Sequence, residues 1–431
     1  MTRVELARKG IVTDEVRKAA QGEDVLAEAL AADIASGLSV IPINAGRRIR
    51  PVAIGRGLRT KVNANMGTSR DRASFEDEKK KLSVIVEFGA DAVMELSTGG
   101  PVREMRKYIL DHSPIPVGTV PVYEAAIRAA EERGSIARMT ADDVFQVIED
   151  HGRQGVDFVT VHSGLTLAAV ERLRRQGRVL DIVSRGGSFL LEWMVYNGKE
   201  NPLYEEFDRL LEIARRHDMT LSLGDGLRPG CLADATDRAQ IEELTTLGEL
   251  RDRALEAGVQ VIIEGPGHVP LNEVELNIKI QKSLCKGAPF YVLGPLVTDV
   301  AMGYDHIAGA IGGAVAGAAG ADFLCYVTPA EHIRLPDIED VREGVIASKI
   351  AAHAADIAKG IPSAIEKDRR MARCRKALDW AGQISLSFNP ERVRLWRSEV
   401  PPSDTEVCSM CGEFCAIRTV ERALRGNGAK R

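Results

Sequence analysis

A chain of 431 residues, 45% of them hydrophobic, exceeds what one core usually organises, so one large domain with smaller pieces at its ends is expected. A net charge of -5, with basic residues dispersed among acids, excludes the electrostatic footprint of a nucleic-acid binder and leaves small molecules as the expected partners. Residues 1–9 carry charge every few positions and lack the apolar core of a secretion signal, which points to a cytoplasmic protein without membrane spans.

Residues 1–58 read as a helical N-terminal piece with a strand around 39–44 and nothing that suggests chemistry. Over 59–337, short β-branched apolar runs alternate with glycine-rich or polar turns and longer amphipathic patterns. The runs fall at 61–65, 92–96, 116–120, 158–162, 181–184, 220–224, 259–264 and 290–293. Helices are expected at 75–88, 122–133, 140–154, 165–176, 205–217 and 241–257. This alternation implies a parallel sheet, and eight repeats predict an α/β fold with a closed (β/α)8 barrel; a doubly wound open sheet is the alternative. A ninth strand candidate at 323–327 means that one of the nine lies outside the barrel or closes it in place of another. The weakly polar run 308–327 contains Asp322 and is mostly glycine and alanine, which fits a close-packed helix leading into that strand rather than a membrane span.

Barrel enzymes place their chemistry where strands end, and the unusual residues fall there. The exits hold Asn63-Ala64-Asn65, Met94 with Leu96-Ser97-Thr98-Gly99-Gly100, Tyr123, His162-Ser163-Gly164, Ser184-Arg185-Gly186-Gly187, Asp225-Gly226-Leu227-Arg228, Glu264 and Tyr291. Ser184-Arg185-Gly186-Gly187 offers a hydroxyl, a cation and glycine backbone to an anion, and Asp225 with Arg228 a charged pair, so a phosphate-bearing substrate fits both. The competing reading of each is structural: an ordinary glycine turn and an internal ion pair. His268 and His332, with His306 as a third candidate, form either a zinc (or other divalent ion) site or hydrogen-bonded core histidines.

Helices are expected again at 338–359 and 364–386 in a helical segment over 338–400, followed by a linker at Pro401-Pro402-Ser403-Asp404. The last piece, 401–431, carries Cys408, Cys411 and Cys415 in the spacing Cys-x2-Cys-x3-Cys. Three thiolates on a short loop suit an iron-sulfur cluster that leaves one iron open to a small molecule. A zinc knuckle completed from a distance, or a set of redox thiols, is the alternative, although no histidine follows Cys415. Cys231, Cys285, Cys325 and Cys374 read as buried thiols.

The motifs Asn-Ala-Asn at 63–65, Leu-Ser-Thr-Gly-Gly at 96–100, Ser-Arg-Gly-Gly-Ser at 184–188, Gly-Asp-Gly-Leu-Arg-Pro-Gly at 224–230, Glu-Gly-Pro-Gly-His-Val-Pro at 264–270 and Cys-Ser-Met-Cys-Gly at 408–412 resemble the phosphomethylpyrimidine synthase family of thiamine biosynthesis. The likeness runs from about residue 60 to 418. It implies a radical S-adenosylmethionine enzyme in which Cys408, Cys411 and Cys415 hold a four-iron four-sulfur (4Fe-4S) cluster and an external electron donor reduces it. S-adenosyl-L-methionine at the open iron would yield a 5'-deoxyadenosyl radical acting on 5-aminoimidazole ribotide. The resemblance assigns substrate contacts to Asn65, Met94, Tyr123, His162, Ser184, Arg185, Gly186, Asp225, Arg228, Glu264 and Tyr291, and metal binding to His268 and His332. It also implies a homodimer in which one subunit's cluster loop covers the other's barrel.

This chain has three residues between its second and third cysteines where the best-known members have four, Glu95 where they have aspartate, and Met302 where they have proline. These departures narrowly favour the family's paralogue, which converts the same ribotide into 5-hydroxybenzimidazole for a cobalamin lower ligand. The alternative product is 4-amino-5-hydroxymethyl-2-methylpyrimidine phosphate. A zinc-dependent barrel hydrolase built on His268 and His332 is the more distant reading, and a cysteine-loop module that recruits a partner is another.

Overall fold

The first N–H of a strand at the rim of a sheet has no ladder partner, and it must find one elsewhere. Asp91, Asp157 and Asp322 supply it at three points. Each stands just before a strand, and its carboxylate accepts an N–H from the first two residues of the strand before it: Val62 at 2.9 Å, Val117 at 2.8 Å and Phe290 at 2.8 Å. Each is charge-paired in turn, with Lys349, Arg47 and Lys282. One end of the sheet is therefore sealed by ion pairs.

The sheet is seen in a computed structural model that describes residues 1–402 and 404–426; Ser403 of the expected linker and residues 427–431 of the tail lie outside the described residues. A hairpin of β1 (Ser39–Val40) and β2 (Ile54–Gly55) precedes β3 (Lys61–Met66), β4 (Ala92–Glu95), β5 (Val117–Thr119) and β6 (Phe158–Val161). Then come β7 (Thr220–Leu223), β8 (Val261–Gly265), β9 (Phe290–Leu293) and β10 (Phe323–Cys325). Strands β3 to β10 form a closed parallel barrel, with β10 between β9 and β3. The chain divides into two compact units, Met1–Asp356 and Ile357–Arg431.

The (β/α)8 expectation holds, but the fifth predicted run is not a barrel strand. β6 pairs directly with β7, and residues 181–184 are irregular. Asp181 sits in the left-handed region at φ 47°, Val183 is exposed, and Ser184 already caps the helix Arg185–Asn197. A segment that turns this sharply into a helix cannot extend along a neighbouring strand, so Phe323–Cys325 closes the barrel instead. The expected helix over 364–386 also divides, into Pro362–Lys376 and Trp380–Leu386. Leu378 adopts φ 53° at the break and Asp379 caps the second piece.

Helix starts follow their caps: Ser74, Thr140 and Thr166 each accept a backbone N–H of the first turn, and Gly134, Gly155 and Gly177 end helices in the left-handed conformation. The helix Asp305–Ala319 is the glycine- and alanine-rich one anticipated before the last strand. An added Cβ on Gly312 would lie 1.9 Å from the Pro295 carbonyl oxygen, so the small residues there let backbone meet backbone. Among the described residues no helix is long and apolar enough to cross a membrane.

Barrel packing pairs small with large residues. Gly118 of β5 faces Phe158 of β6, and an added Cβ would lie 2.3 Å from its ring. Gly118→Ala is therefore expected to destabilise the protein by ~1–3 kcal/mol. Gly22→Ala, in a helix with open space around it, should be neutral or mildly stabilising. Thermal unfolding of both variants checks this, and equal melting temperatures would sink the packing account.

Candidate active site at the C-terminal ends of the barrel strands

Side chains alternate along a strand, so the last inward-facing positions of neighbouring strands meet at the barrel mouth. Here they surround a cavity of about 510 Å³, counting the open space at its mouth. Of the sequence-derived substrate contacts, Asn65, Met94, Tyr123, His162, Asp225, Arg228, Glu264 and Tyr291 line it. The other three adjoin. Ser184 Oγ lies 3.0 Å from His162 Nε2, a Cβ on Gly186 would strike the His162 ring, and the Arg185 guanidinium lies 5.3 Å from the Tyr123 ring centroid. These three come from the start of the helix Arg185–Asn197 rather than from a strand end. A second cavity of about 1250 Å³, likewise counting its open mouth, shares Asn65 and Leu96 with the first and adds Thr68, Ser69, Arg185 and His332.

The lining is fixed by hydrogen bonds. Asn63 Nδ2 donates to Tyr291 Oη at 2.7 Å and to Asn65 Oδ1 at 2.8 Å, while Asn65 Nδ2 donates to Cys325 Sγ at 3.2 Å. Thr160 and Ser222 donate to Glu264 Oε1 at 2.7 and 2.6 Å. Arg228 donates to Asp225 Oδ1 at 3.2 Å. Burial, reinforced by the Glu264 charge, pushes the Asp225 carboxyl up, while Arg228 opposes the shift. Burial also raises Glu264 against the hydrogen bonds it accepts, and it lowers His162 to about 3, helped by Arg228. The imidazole is therefore neutral near pH 7. Assigning the Ser184 hydroxyl proton to His162 Nε2 leaves the ring proton on Nδ1. That Nδ1 and Asp225 Oδ2 are buried without a protein partner, which suits a polar ligand in the cavity.

Sequence reasoning missed several members. Thr160 and Ser222 lie two residues before the exits at His162 and Gly224, so period-two alternation was the signal that marked them. Glu243 lies in the helix Arg238–Glu256; it accepts the Leu227 N–H at 2.7 Å while its Oε1 stays buried and unpartnered. No local pattern set it apart from the surface acids of an amphipathic helix.

The two expected metal histidines are neighbours, with ring centroids 5.2 Å apart. His268 Nδ1 meets Asp299 Oδ1 at 2.7 Å, and His332 Nδ1 meets Asp305 Oδ1 at 3.2 Å. Each ring is thus held at Nδ1 by a carboxylate, the arrangement that presents Nε2 to a metal. Burial lowers the His268 pKa, which favours the neutral, ligating form.

In the C-terminal unit, Cys408 is half-buried, Cys411 exposed and Cys415 buried. Backbone N–H groups of Cys411 and Met410 hold the Cys408 thiol below its usual range, as suits a thiolate ligand. Trp380 Nε1 donates to the Glu406 carbonyl at 3.0 Å, and Arg397 stacks 3.7 Å from the Trp380 ring centroid while donating to the Val407 carbonyl at 3.2 Å. Arg418 pairs with Asp404 and Glu406. Among the described residues no three His, Cys, Asp or Glu side chains are gathered closely enough to hold an ion. Of the other thiols, Cys231, Cys285 and Cys325 are buried and Cys374 half-buried.

Residues 2–422 match the model of the radical SAM ThiC family. The chain belongs to that family. It is 65% identical over 425 residues to phosphomethylpyrimidine synthase of Thermodesulfovibrio yellowstonii, covering 98% of this chain and 100% of the relative. Phosphomethylpyrimidine synthases of Moorella thermoacetica and Desulforamulus reducens are 61% and 59% identical, each over 98% of both chains. A dihydropteroate synthase structure from Coxiella burnetii is similar at a TM-score of 0.40 and 13% identity, covering 71% of this chain and 96% of its own.

Membership makes the chain a radical S-adenosylmethionine enzyme, for which a 4Fe-4S cluster and S-adenosyl-L-methionine are the family's cofactors. It also corrects the preferred product. Full-length relatives at this identity carry the phosphomethylpyrimidine synthase name, against the 5-hydroxybenzimidazole reading. Met302, on which that reading leaned, is 63% exposed and lines neither cavity, so its exchange for proline says little about how a substrate is held. Glu95, a second departure, is buried and accepts the Ser97 N–H at 2.7 Å, shaping the β4 exit.

Burial pushes the Glu243 carboxyl up to about 8. The unfolded chain releases that proton above about pH 4.3 while the folded one keeps it, so this group lowers stability as pH rises from about 4 to 8. Glu243→Gln removes the dependence, and melting should rise near pH ~8 and change little near pH ~4.5. Equal shifts at the two pH values would contradict the assignment.

Proposed function

We propose that this chain is a phosphomethylpyrimidine synthase that rearranges 5-aminoimidazole ribotide into 4-amino-5-hydroxymethyl-2-methylpyrimidine phosphate. The observation that carries the reading is the arrangement of the eleven substrate residues. Eight line one cavity at the barrel mouth, and the other three pack against those eight. The first turn of a 13-residue helix, capped by Ser184 and bearing Arg185 and Gly186, suits the ribotide phosphate, since helix N-termini favour anions. Glu264, with one oxygen already occupied by Thr160 and Ser222, offers the other to a substrate N–H or O–H. His162 offers its Nδ1 proton, and Arg228 holds Asp225 in place beside it.

The larger adjoining cavity, which shares Asn65 and Leu96 with the first, would hold S-adenosyl-L-methionine. Cys408, Cys411 and Cys415 would hold the cluster, which when bound would supply the single electron for reductive cleavage of S-adenosyl-L-methionine. The residues of this chain align the ribotide and keep water from it. His268 and His332 would hold zinc or another divalent ion, on the strength of their shared position and carboxylate partners. A homodimer accords with the apolar side chains exposed around the cysteines, Met410 at 91% and Phe414 at 78%. An external one-electron donor completes the system.

Anaerobic purification should give about four irons per chain, lost in Cys411→Ala. The reduced protein, given the ribotide and S-adenosyl-L-methionine, should release the pyrimidine phosphate and 5'-deoxyadenosine. Zinc without iron after full reconstitution, or turnover without the pyrimidine, would overturn this reading.

A further inference from the structure

We infer that Asp299 is a positioning residue that ties the metal-binding His268 to the loop carrying Asp225 and Arg228, so that metal and ribotide binding are energetically coupled. The inference rests on the divalent-metal and ribotide readings proposed above. One Asp299 oxygen takes the His268 Nδ1 proton at 2.7 Å, and its two oxygens lie 3.3 and 3.0 Å from the Leu232 N–H. A second tie runs directly, from the His268 backbone N–H to the Pro229 carbonyl at 3.2 Å. Pro229 follows Arg228 in the chain, and Leu232 opens the short turn Leu232–Asp234. The histidine is therefore bound at both its ring and its backbone to the segment that shapes the ribotide cavity.

A carboxylate on Nδ1 fixes the imidazole tautomer and ring angle and makes Nε2 a better ligand. Whatever fixes the ring also fixes the carboxylate, and through it the loop at Leu232. A metal that holds His268 in place thus pre-orders the loop for the ribotide, and linkage requires the ribotide to favour the metal by the same factor. A purely structural staple would support the loop without altering metal affinity. The Asp299 side chain is 39% exposed, so its replacement leaves the barrel core intact.

The test uses the full chain with its cluster reconstituted, so that the three cysteine thiols do not take up zinc. Zinc affinity is measured by competition with a chromogenic chelator, and 5-aminoimidazole ribotide affinity by calorimetry with and without zinc. In the unmodified protein zinc should tighten ribotide binding. Asp299→Ala should weaken zinc binding ~10–100-fold and abolish that effect of zinc. Asp299→Asn, which keeps an acceptor oxygen without the charge, should fall between, and it carries the comparison if the alanine variant does not fold. Undiminished zinc affinity in the variants, or ribotide affinity indifferent to zinc in the unmodified protein, overturns the inference. Failure of the unmodified protein to bind zinc at all would instead remove the metal reading beneath it.

Discussion

Closure of the parallel sheet by Phe323–Cys325 is the constraint on which the rest depends. This strand pairs with Lys61–Asn63 on one side and Tyr291–Leu293 on the other, joining parts of the chain some 260 residues apart. Only that closure brings Asn65, Tyr291 and Cys325 into one hydrogen-bonded group at the mouth. It also leaves the barrel without an open edge. The two ends of the barrel then do different things. Aspartates paired with Lys349, Arg47 and Lys282 seal the end where strands begin, and the end where strands finish is left for ligands.

The mouth is arranged against stability. Asp225, Glu243 and Glu264 are withdrawn from water, and burial raises all three carboxyls against the guanidiniums of Arg228, beside Asp225 and Glu264, and of Arg178, beside Glu243. Such a cluster is held together by the barrel rather than helping to hold it. The buried and unpartnered Asp225 Oδ2 and His162 Nδ1 belong to residues that line the cavity, where they suit a polar ligand.

Much of this was legible in the sequence because two periodicities are hard to disguise. Alternation at period two and amphipathic runs at period 3.6 marked the barrel, and the strand exits marked the site. What stayed hidden depended on pairing or on distance. Nine apolar runs compete for eight places, and nothing local shows that Asp181 turns left-handed while Phe323 finds two neighbours. Thr160 and Ser222 look like ordinary strand residues until both are seen to donate to Glu264 Oε1. Glu243 and Asp299 serve residues far from them in sequence. The product was misjudged for a related reason: an exchange at Met302 looks consequential beside Gly303-Tyr304-Asp305-His306 until its exposure is known.

The anchorage of the cysteine loop explains a departure that looked significant. Trp380 and Arg397 grip the approach to the loop through the carbonyls of Thr405, Glu406 and Val407, not through side chains. Backbone oxygens are present whatever the residue, so the grip is indifferent to composition and ends before Cys408. Between Cys408 and the buried Cys415 the path is shaped by its own backbone, in the bonds from Gly412 N–H to the Cys408 carbonyl and from Phe414 N–H to the Cys411 carbonyl. A change in the spacing of the second and third cysteines therefore falls on that local turn, beyond the carbonyls at 405–407 that Trp380 and Arg397 grip.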